Sequence, residues 1–205
     1  MLALAAQIHW DVGANAGVMK RVLTGGPGDA GFGPAVSAQA HVALLPFVRV
    51  GGYVAHDISP VAGAAAARQI TSAGLHLKLL SPVPRGDVRV WLATGFGYAG
   101  VYAPSYHQTL ALSHEGTPPF TPTDVGVHGA GGSYFEIPLA LGAGYKLRKP
   151  WELTAELGAR FGVGFTGSVY DGRFGFNPDY PQILVAPLGK DSVGLFLTVG
   201  INLEL

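Results

Sequence analysis

The chain contains no cysteine, and only 13% of its 205 residues are charged. Without cysteine there is no disulfide framework, no thiol chemistry and no cysteine metal site. A typical soluble domain has about 25% charged residues, so this chain has too few for an ordinary water-facing surface. Its formal net charge is zero. The composition therefore predicts no nucleic-acid partner.

Long hydrophobic runs are also missing. The longest uncharged stretch begins at Val90, but glycines and polar residues interrupt it, unlike the run of about 20 apolar residues in a transmembrane helix. The opening MLALAAQ is too short for a signal peptide and has no basic n-region. For an exported protein we therefore expect a mature form with an added methionine.

Alternating apolar residues dominate what is present. Apolar residues make up 48% of the chain, with 31 glycines and 15 prolines. The C-terminal stretch DSVGLFLTVGINLEL places an apolar residue at every second position from Val193 to Leu205. This period of two is typical of strands. Eight such strands are predicted at residues 7–23, 34–45, 47–56, 69–80, 87–102, 134–148, 151–166 and 192–205.

The connections between these strands alternate in length. Those after the second, fourth and sixth strands are short, such as the dipeptides LP and KP. The other connections are longer, at about 24–33, 57–68, 103–133 and 167–191. We therefore predict a single domain, residues 1–205, with short turns at one end of the sheet and long loops at the other.

Two architectures fit eight alternating strands. A soluble barrel or sandwich turns its apolar face inward, whereas a transmembrane barrel turns it toward lipid. The polar faces here are mainly Gly, Ala, Ser and Thr, which suits a crowded lumen better than a wetted surface. Several strands are also longer than the 9–11 residues that cross a bilayer. These features predict an all-β, eight-stranded antiparallel up-and-down transmembrane barrel.

Aromatic residues near the strand ends support this prediction, because membrane barrels carry aromatic girdles at both interfaces. We predict Trp10, Phe47 and Trp151 as interface aromatics at the short-turn end, and Tyr98, Tyr102 and Tyr134, with Phe165, at the long-loop end.

Two stretches resemble outer-membrane barrels of Gram-negative bacteria of the OmpA-transmembrane, OmpX and OmpW type. IPLALGAGYKL is similar to the apolar-Gly-x-Gly-Tyr strand of that outer-membrane β-barrel domain. TVGINLEL is similar to its C-terminal assembly signal, carried here by Thr198, Gly200, Leu203 and Leu205. The chain departs from the pattern at Leu205, where phenylalanine is usual.

The resemblance implies an outer-membrane protein with short periplasmic turns and long extracellular loops. It implies outer-membrane lipid, lipopolysaccharide and the barrel-assembly machinery as partners. It does not specify a function, because one fold supports many.

Charged residues of both signs lie opposite the apolar strand faces. The predicted interior charges are Asp11, Arg49, Lys78, Arg89, Glu136, Lys146, Glu152, Glu156, Arg160 and Glu204, joined by His9, His41 and His76. An unpaired charge in a narrow interior is costly, so opposite signs should pair. Two interpretations remain open: a salt-bridge network that closes the barrel, or a polar path for a small solute. An eight-stranded barrel is just wide enough for side chains to fill it, which favours the first.

The 103–133 connection also carries candidate metal ligands. These are His107, His114, Glu115, Asp124 and His128. Imidazole and carboxylate groups bind divalent metals, but the chain has no H-E-x-x-H spacing. We predict no metal site and no cofactor.

An enzyme is the third class to consider, because lipid A deacylases place a Ser/His/acid site on the outside of an eight-stranded barrel. Ser105 lies near His107, and Ser113 precedes His114 and Glu115. Triad residues meet by geometry rather than adjacency, and neither stretch matches the His-x-Ser-Asn pattern of that family. We predict that the protein is not an enzyme.

The long loops are rich in aromatic residues and proline. Their aromatics include Tyr106, Phe120, Tyr170, Phe174, Phe176 and Tyr180. Loops of this kind can pack on themselves or form a binding surface. The sequence favours a non-enzymatic structural element or a narrow passive conduit for small solutes. The alternatives are a binding or adhesion module, whose loops hold a protein or a small apolar ligand, and a lipid-modifying enzyme.

Overall fold

The computed structural model describes residues 9–24, 31–61, 63–82, 86–113, 119–170, 172–186 and 190–205. Within these ranges the chain forms twelve strands and one 3-10 turn, Ser168–Tyr170. The strands are β1 Trp10–Thr24, β2 Gly33–Leu45, β3 Val48–Ser59, β4 Arg68–Leu80, β5 Val88–Ala103, β6 Tyr106–Leu112, β7 Thr121–Val127, β8 Ala130–Arg148, β9 Trp151–Gly167, β10 Arg173–Asn177, β11 Tyr180–Ala186 and β12 Lys190–Glu204. No helix in the described part of the chain is long and apolar enough to span a bilayer.

Eight of these strands form a closed antiparallel barrel in the order β1-β12-β9-β8-β5-β4-β3-β2. The first and last strands close it, in a register that pairs Asp11 with Glu204 and Val18 with Leu197. The eight strands coincide with the eight predicted segments to within a few residues, so the predicted fold class is confirmed. Closure pairs the edge strands with each other, which satisfies their backbone groups.

Side chains alternate across the barrel wall. On β12, Leu197 and Val199 point outward and are 51% and 59% exposed, whereas Phe196 and Thr198 point inward and are 7% and 4% exposed. The same alternation of exposed apolar and buried residues runs along β5, β8 and β9. The wall is therefore apolar on the outside, as a lipid-facing surface requires.

Glycine is needed where neighbouring strands approach closely. A Cβ atom at Gly51 would lie 1.8 Å from the carbonyl oxygen of Ala40, and one at Gly200 would lie 2.1 Å from the carbonyl oxygen of Ala14. Any larger residue would push the two strands apart at these points. The many glycines on the inward faces thus follow from tight packing of the narrow barrel.

The two longest connections, at residues 103–133 and 167–191, contain strands that were not predicted from the sequence. They contribute β6 and β7, and β10 and β11, to a separate four-stranded sheet in the order β11-β10-β7-β6, here called the loop sheet. Gly175 of β10 pairs with Val127 of β7, so the two connections join each other. These strands have only 5–7 residues, too few for a clear periodic signal.

Two predicted interface aromatics lie inside the barrel instead. Tyr134 is 1% exposed and has the same parity as the inward-facing Glu136, so its side chain must point inward. Phe165 packs against Tyr134, with ring centroids 5.2 Å apart. One extra residue in β9, next to Gly164 with φ +68°, shifts the register there and reverses the alternation.

The other five predicted interface aromatics are exposed on the outer wall. Trp10, Phe47 and Trp151 lie at the short-turn end, and Tyr98 and Tyr102 lie toward the long-loop end; each is about half exposed. The two groups are separated along the strands, as expected of girdles at the two faces of a membrane.

Candidate functional site

The barrel interior at the short-turn end is filled by arginine and carboxylate groups. Arg89 binds Glu152 at 2.7 Å, between Nη2 and Oε2. Glu204 accepts hydrogen bonds from Arg89 and from Arg49, the latter with Nη2 and Oε1 2.9 Å apart. Four charges from β3, β5, β9 and β12 thus cross the interior in one chain of ion pairs.

Asp11 extends this chain toward the middle of the barrel. Its carboxylate accepts from Arg49 and contacts Nδ1 of His41 at 3.0 Å. The other ring nitrogen of His41 lies 3.0 Å from Nδ1 of His76. All three of Asp11, His41 and His76 are buried, so the imidazoles occupy space that water would otherwise fill.

The next layer combines a lysine with an aromatic ring. Lys78 Nζ lies 4.9 Å from the ring centroid of Trp91 and 3.8 Å from Oε1 of Glu156. The indole Nε1–H of Trp91 donates to the same carboxylate oxygen at 3.1 Å. Trp91 lies against Gly142, where a Cβ would be 2.1 Å from the indole ring. The glycine therefore makes room for the ring.

A third layer lies on the long-loop side of the Trp91 indole. Glu136 accepts a hydrogen bond from the Tyr53 hydroxyl at 3.0 Å and lies 3.8 Å from Nη1 of Arg160. The guanidinium of Arg160 stacks over Phe196 at 5.2 Å. A cavity of about 30 Å³ remains between these layers, which is room for on the order of two waters.

Near the long-loop end, the interior contains an ion pair that was not predicted from the sequence. Arg21 donates to both carboxylate oxygens of Asp57 at 2.8–3.2 Å and to the hydroxyl of Tyr134 at 2.8 Å. Arg21 has the same strand parity as Asp11, which is the signal that could have identified it. Asp57 lies one residue beyond the predicted end of its strand and was assigned to a connection, as was the buried Arg68.

An aromatic cluster closes the long-loop end. Tyr134, Phe165 and Tyr170 pack with ring centroids 5.1–6.4 Å apart. Small and branched residues complete the cluster: Ile70, Ala99, Val101, Ala103 and Val169. Tyr170 belongs to the 3-10 turn after β9, so part of the predicted loop folds back to fill the barrel.

Most of the predicted interior charges are buried in the structure. Lys146 is an exception, because β8 has a register irregularity between Lys146 and Arg148 at its end and both side chains are exposed. His9 is also exposed, just before β1. Of the predicted assembly signal, Thr198 is buried on the inward face of β12, while Leu205 is exposed. The role of this C-terminal signal in assembly stays a prediction.

The loop sheet has one buried and one exposed face. Val125 and Val127 are buried, and a Cβ at Gly175 would meet the Val125 side chain at 2.0 Å. Arg173 anchors the sheet, since Nη2 donates to the carbonyl oxygens of His128 and, at 3.2 Å, Pro104. Burial lowers the pKa of this guanidinium below its usual range.

The exposed face of the loop sheet is partly apolar. Phe174, Phe176 and Leu184 are 39–52% exposed, and His128 packs on Phe176 with ring centroids 5.4 Å apart. The register aligns Phe174 with Leu184. This patch is the part of the long loops most suited to contact another molecule.

The described candidate metal and catalytic groups lie on the strands of the loop sheet or next to them in the chain. His107 Nδ1 lies 3.1 Å from Oδ2 of Asp124, and Oγ of Ser105 accepts from the Gly129 N–H at 2.7 Å. No group of three or more metal-ligating side chains converges in the described residues. His114 and Glu115 of the predicted candidates lie outside them.

The comparisons with known proteins identify the fold. Neither the family models nor the curated proteins match this sequence. Neisserial surface protein A has a TM-score of 0.62 at 11% identity, over 96% of this chain and 97% of that one. A major outer membrane protein from Thermus thermophilus has a TM-score of 0.55 at 14% identity, over 97% and 100%. Ail, the attachment invasion locus protein of Yersinia pestis, has a TM-score of 0.51 at 8% identity, over 97% and 99%.

These structures and the geometry define an eight-stranded outer-membrane β-barrel. The similarity covers almost the whole chain, and the apolar outer wall of this barrel needs a bilayer to cover it. Single-chain barrels with an even number of antiparallel strands are typical of bacterial outer membranes. This fold and the apolar outer wall agree with the predicted localisation in the outer membrane of a Gram-negative bacterium.

Proposed function

We propose that this protein is a non-enzymatic structural element of the outer membrane, with an interior closed to solutes. The observation that carries this proposal is the continuous side-chain filling of the barrel. Ion pairs occupy the short-turn end, Trp91 and Phe196 occupy the middle, and the cluster around Tyr134 occupies the long-loop end. Of the two roles favoured by the sequence, this filling supports the structural element over the passive conduit.

The pairing of the interior charges explains why the filling is stable. A charge that loses its partner in a buried site is costly, and nearly every interior carboxylate here accepts from an arginine, lysine, tyrosine or tryptophan donor, as the layers described above show. A solute would have to displace several of these interactions at once. The remaining 30 Å³ cavity is far smaller than the 300–1,000 Å³ typical of ligand pockets.

Conductance measurements on the refolded protein in planar bilayers test the proposal. We expect no steady conductance from the parent protein. The double variant Trp91→Ala/Phe196→Ala removes two large rings from the barrel interior and should conduct. The outward-facing control Phe96→Ala should not. Steady conductance of the folded parent would overturn the closed interior and favour the conduit.

The non-enzymatic part of the proposal rests on the loop sheet. His107, two residues after Ser105, pairs with Asp124, and the two side chains are 74% and 68% exposed, so this pair lies open to solvent. Incubation with lipid A tests this part of the proposal. We expect no release of fatty acid, and release that is lost in Ser105→Ala or Ser113→Ala variants would make the protein an enzyme.

A second candidate function is binding through the loop sheet. Its support is the exposed patch of Phe174, Phe176 and Leu184 on an ordered sheet, since exposed apolar patches often mark interaction sites. Ail, which has the same fold, is an attachment invasion locus protein. The partner would be a protein or a small apolar ligand, held outside the cell.

Attachment of bacteria that produce the protein tests this second candidate. A non-adherent strain carrying the parent protein should attach to protein-coated surfaces or aggregate with itself. Phe174→Ser/Phe176→Ser should abolish the effect, and Thr109→Ser, on the same sheet, should preserve it. Attachment no greater than that of the strain without the protein would exclude adhesion to proteins through this patch.

A further inference from the structure

The outer wall of the barrel carries a groove that does not belong to the interior or to the loop sheet. It has a volume of about 650 Å³ and crosses β12, β1, β2, β3 and β4. Alanines form its floor, Ala14, Ala16 and Ala38, and the exposed Val36, Val54 and Val199 form its sides. The small residues make a depression between these larger side chains.

One end of the groove is polar. Nδ1 of His56 lies 2.9 Å from Oγ1 of Thr71, and both residues line the groove. When the threonine hydroxyl donates to Nδ1, the neutral imidazole keeps its proton on Nε2. That N–H is then a donor for a further acceptor outside the protein.

The polar end lies at the level of the outer headgroups. Thr71 pairs with Gly100 on β5, midway between the exposed interface aromatics Tyr98 and Tyr102. His56 is three residues from the end of β3 at the long-loop end. A polar pair deeper in the hydrocarbon would lack hydrogen-bond partners and would be costly, whereas at this level lipid headgroups can supply them.

The apolar end of the groove lies deeper in the membrane. Val36 pairs with His56 and with Ala16, and Ala16 pairs with Val199, so one row of paired residues leads from the polar pair across to β12. Val199 lies five residues from the short-turn end of β12 but nine from its other end. Strand tilt in a barrel thus leads the groove from the headgroup level into the hydrocarbon, which is the path of an acyl chain.

A positive charge toward the long-loop end of the outer wall indicates the kind of headgroup. Lys20 projects from the outward face of β1 toward the long-loop end, with Nζ 5.8 Å from the ring centroid of Phe32. Lys20 and the His56 N–H both lie toward the long-loop end of the outer wall, and each suits an anionic, oxygen-rich group. We propose that this groove binds one acyl chain of an outer-leaflet lipid and that His56, positioned by Thr71, donates to the phosphate of its headgroup.

Native mass spectrometry of the refolded protein tests this binding site. The probe is dimyristoylphosphatidylglycerol, and dimyristoylglycerol is the control without phosphate. We expect the parent to retain one phospholipid and to retain the uncharged control several-fold less. His56→Leu should lower the fraction with phospholipid about fivefold, the change expected for one lost hydrogen bond, and Thr71→Val should lower it by a smaller factor.

A matched pair of variants tests the groove itself. Ala16→Leu fills its floor and should prevent retention, whereas Ala143→Leu makes the same change on the outward face of β8 and should leave retention unchanged. The proposal is overturned if the parent retains no lipid, if it retains both probes equally, or if Ala143→Leu has the same effect as Ala16→Leu. The comparison of the two probes uses only the parent, so it stands even if a variant fails to fold.

Discussion

One of the ion pairs inside the barrel and the ion pair on the loop sheet differ mainly in their exposure to water. Arg21 and Asp57 meet at 2.8 Å inside the barrel, with side chains 1% and 2% exposed. His107 and Asp124 meet at 3.1 Å on the loop sheet, with side chains 74% and 68% exposed. The distances are similar, but the loss of one partner has very different consequences in the two places.

The difference follows from the cost of an unpaired charge. Inside the barrel, a charge without its partner has little water to replace it, so breaking a buried pair costs about 3–5 kcal/mol. On the loop sheet, water replaces the partner, and exposed pairs contribute about 0–1 kcal/mol. Each interior charge therefore depends on its partner, whereas the exposed charges of the loop sheet do not.

The largest expected effect is that of breaking the buried pair. Asp57→Ala removes the carboxylate that accepts from Nε and Nη2 of Arg21, and it should lower the free energy of unfolding by about 3–5 kcal/mol. Guanidinium unfolding of the protein in lipid vesicles measures the change. The double variant Arg21→Met/Asp57→Leu removes both charges and should lose much less. An equal loss in both variants would show that packing, not the unpaired charge, sets the cost.

A smaller effect is expected where a buried cation holds the loop sheet. Arg173→Gln removes the hydrogen bonds from the guanidinium to the carbonyl oxygens of Pro104 and His128. Hydrogen bonds from charged groups contribute about 1.5–3 kcal/mol. Amide hydrogen exchange should therefore become faster in β7 and β10, while the unfolding midpoint of the barrel stays the same.

The control for this change is Arg148→Gln, which alters an exposed arginine at the short-turn end. It should leave exchange in the loop sheet unchanged. If Arg173→Gln also destabilises the barrel, the loop sheet and the barrel unfold as one unit. The loop sheet and the barrel would then not differ in stability as the two ion pairs suggest.

The same contrast explains how much of the fold was predictable. Alternation along strands of 12–19 residues fixed the eight barrel strands and the side of the wall that each charge faces. It failed at Phe165, where an extra residue reverses the alternation, and at Lys146, where β8 ends irregularly. Tyr134 was predicted at the interface because it is an aromatic residue near a strand end. Its parity, the same as that of Glu136, identifies it as an interior residue.

The partners within the interior and the loop sheet could not be predicted from the sequence. Arg21 and Asp57 come from β1 and β3, and their contact depends on barrel tilt and register, which the sequence does not display. The loop sheet depends on the pairing of Gly175 with Val127, between short strands in two different connections. The lipid-facing His56 and Thr71 are likewise adjacent only through strand register.

The smallest expected effect is that of breaking the exposed pair. Asp124→Asn removes the negative charge beside His107, but the Asp124 carbonyl oxygen, which accepts from Asn177 Nδ2 at 2.9 Å, is part of the backbone and remains. Because both side chains of the pair are mostly in water, the free energy of opening the loop sheet should change by less than about 1 kcal/mol. Hydrogen exchange of the β7 amides at low and high salt measures it. A loss as large as that of Asp57→Ala would mean that this exposed pair also supports the fold, and that water does not replace a lost partner there.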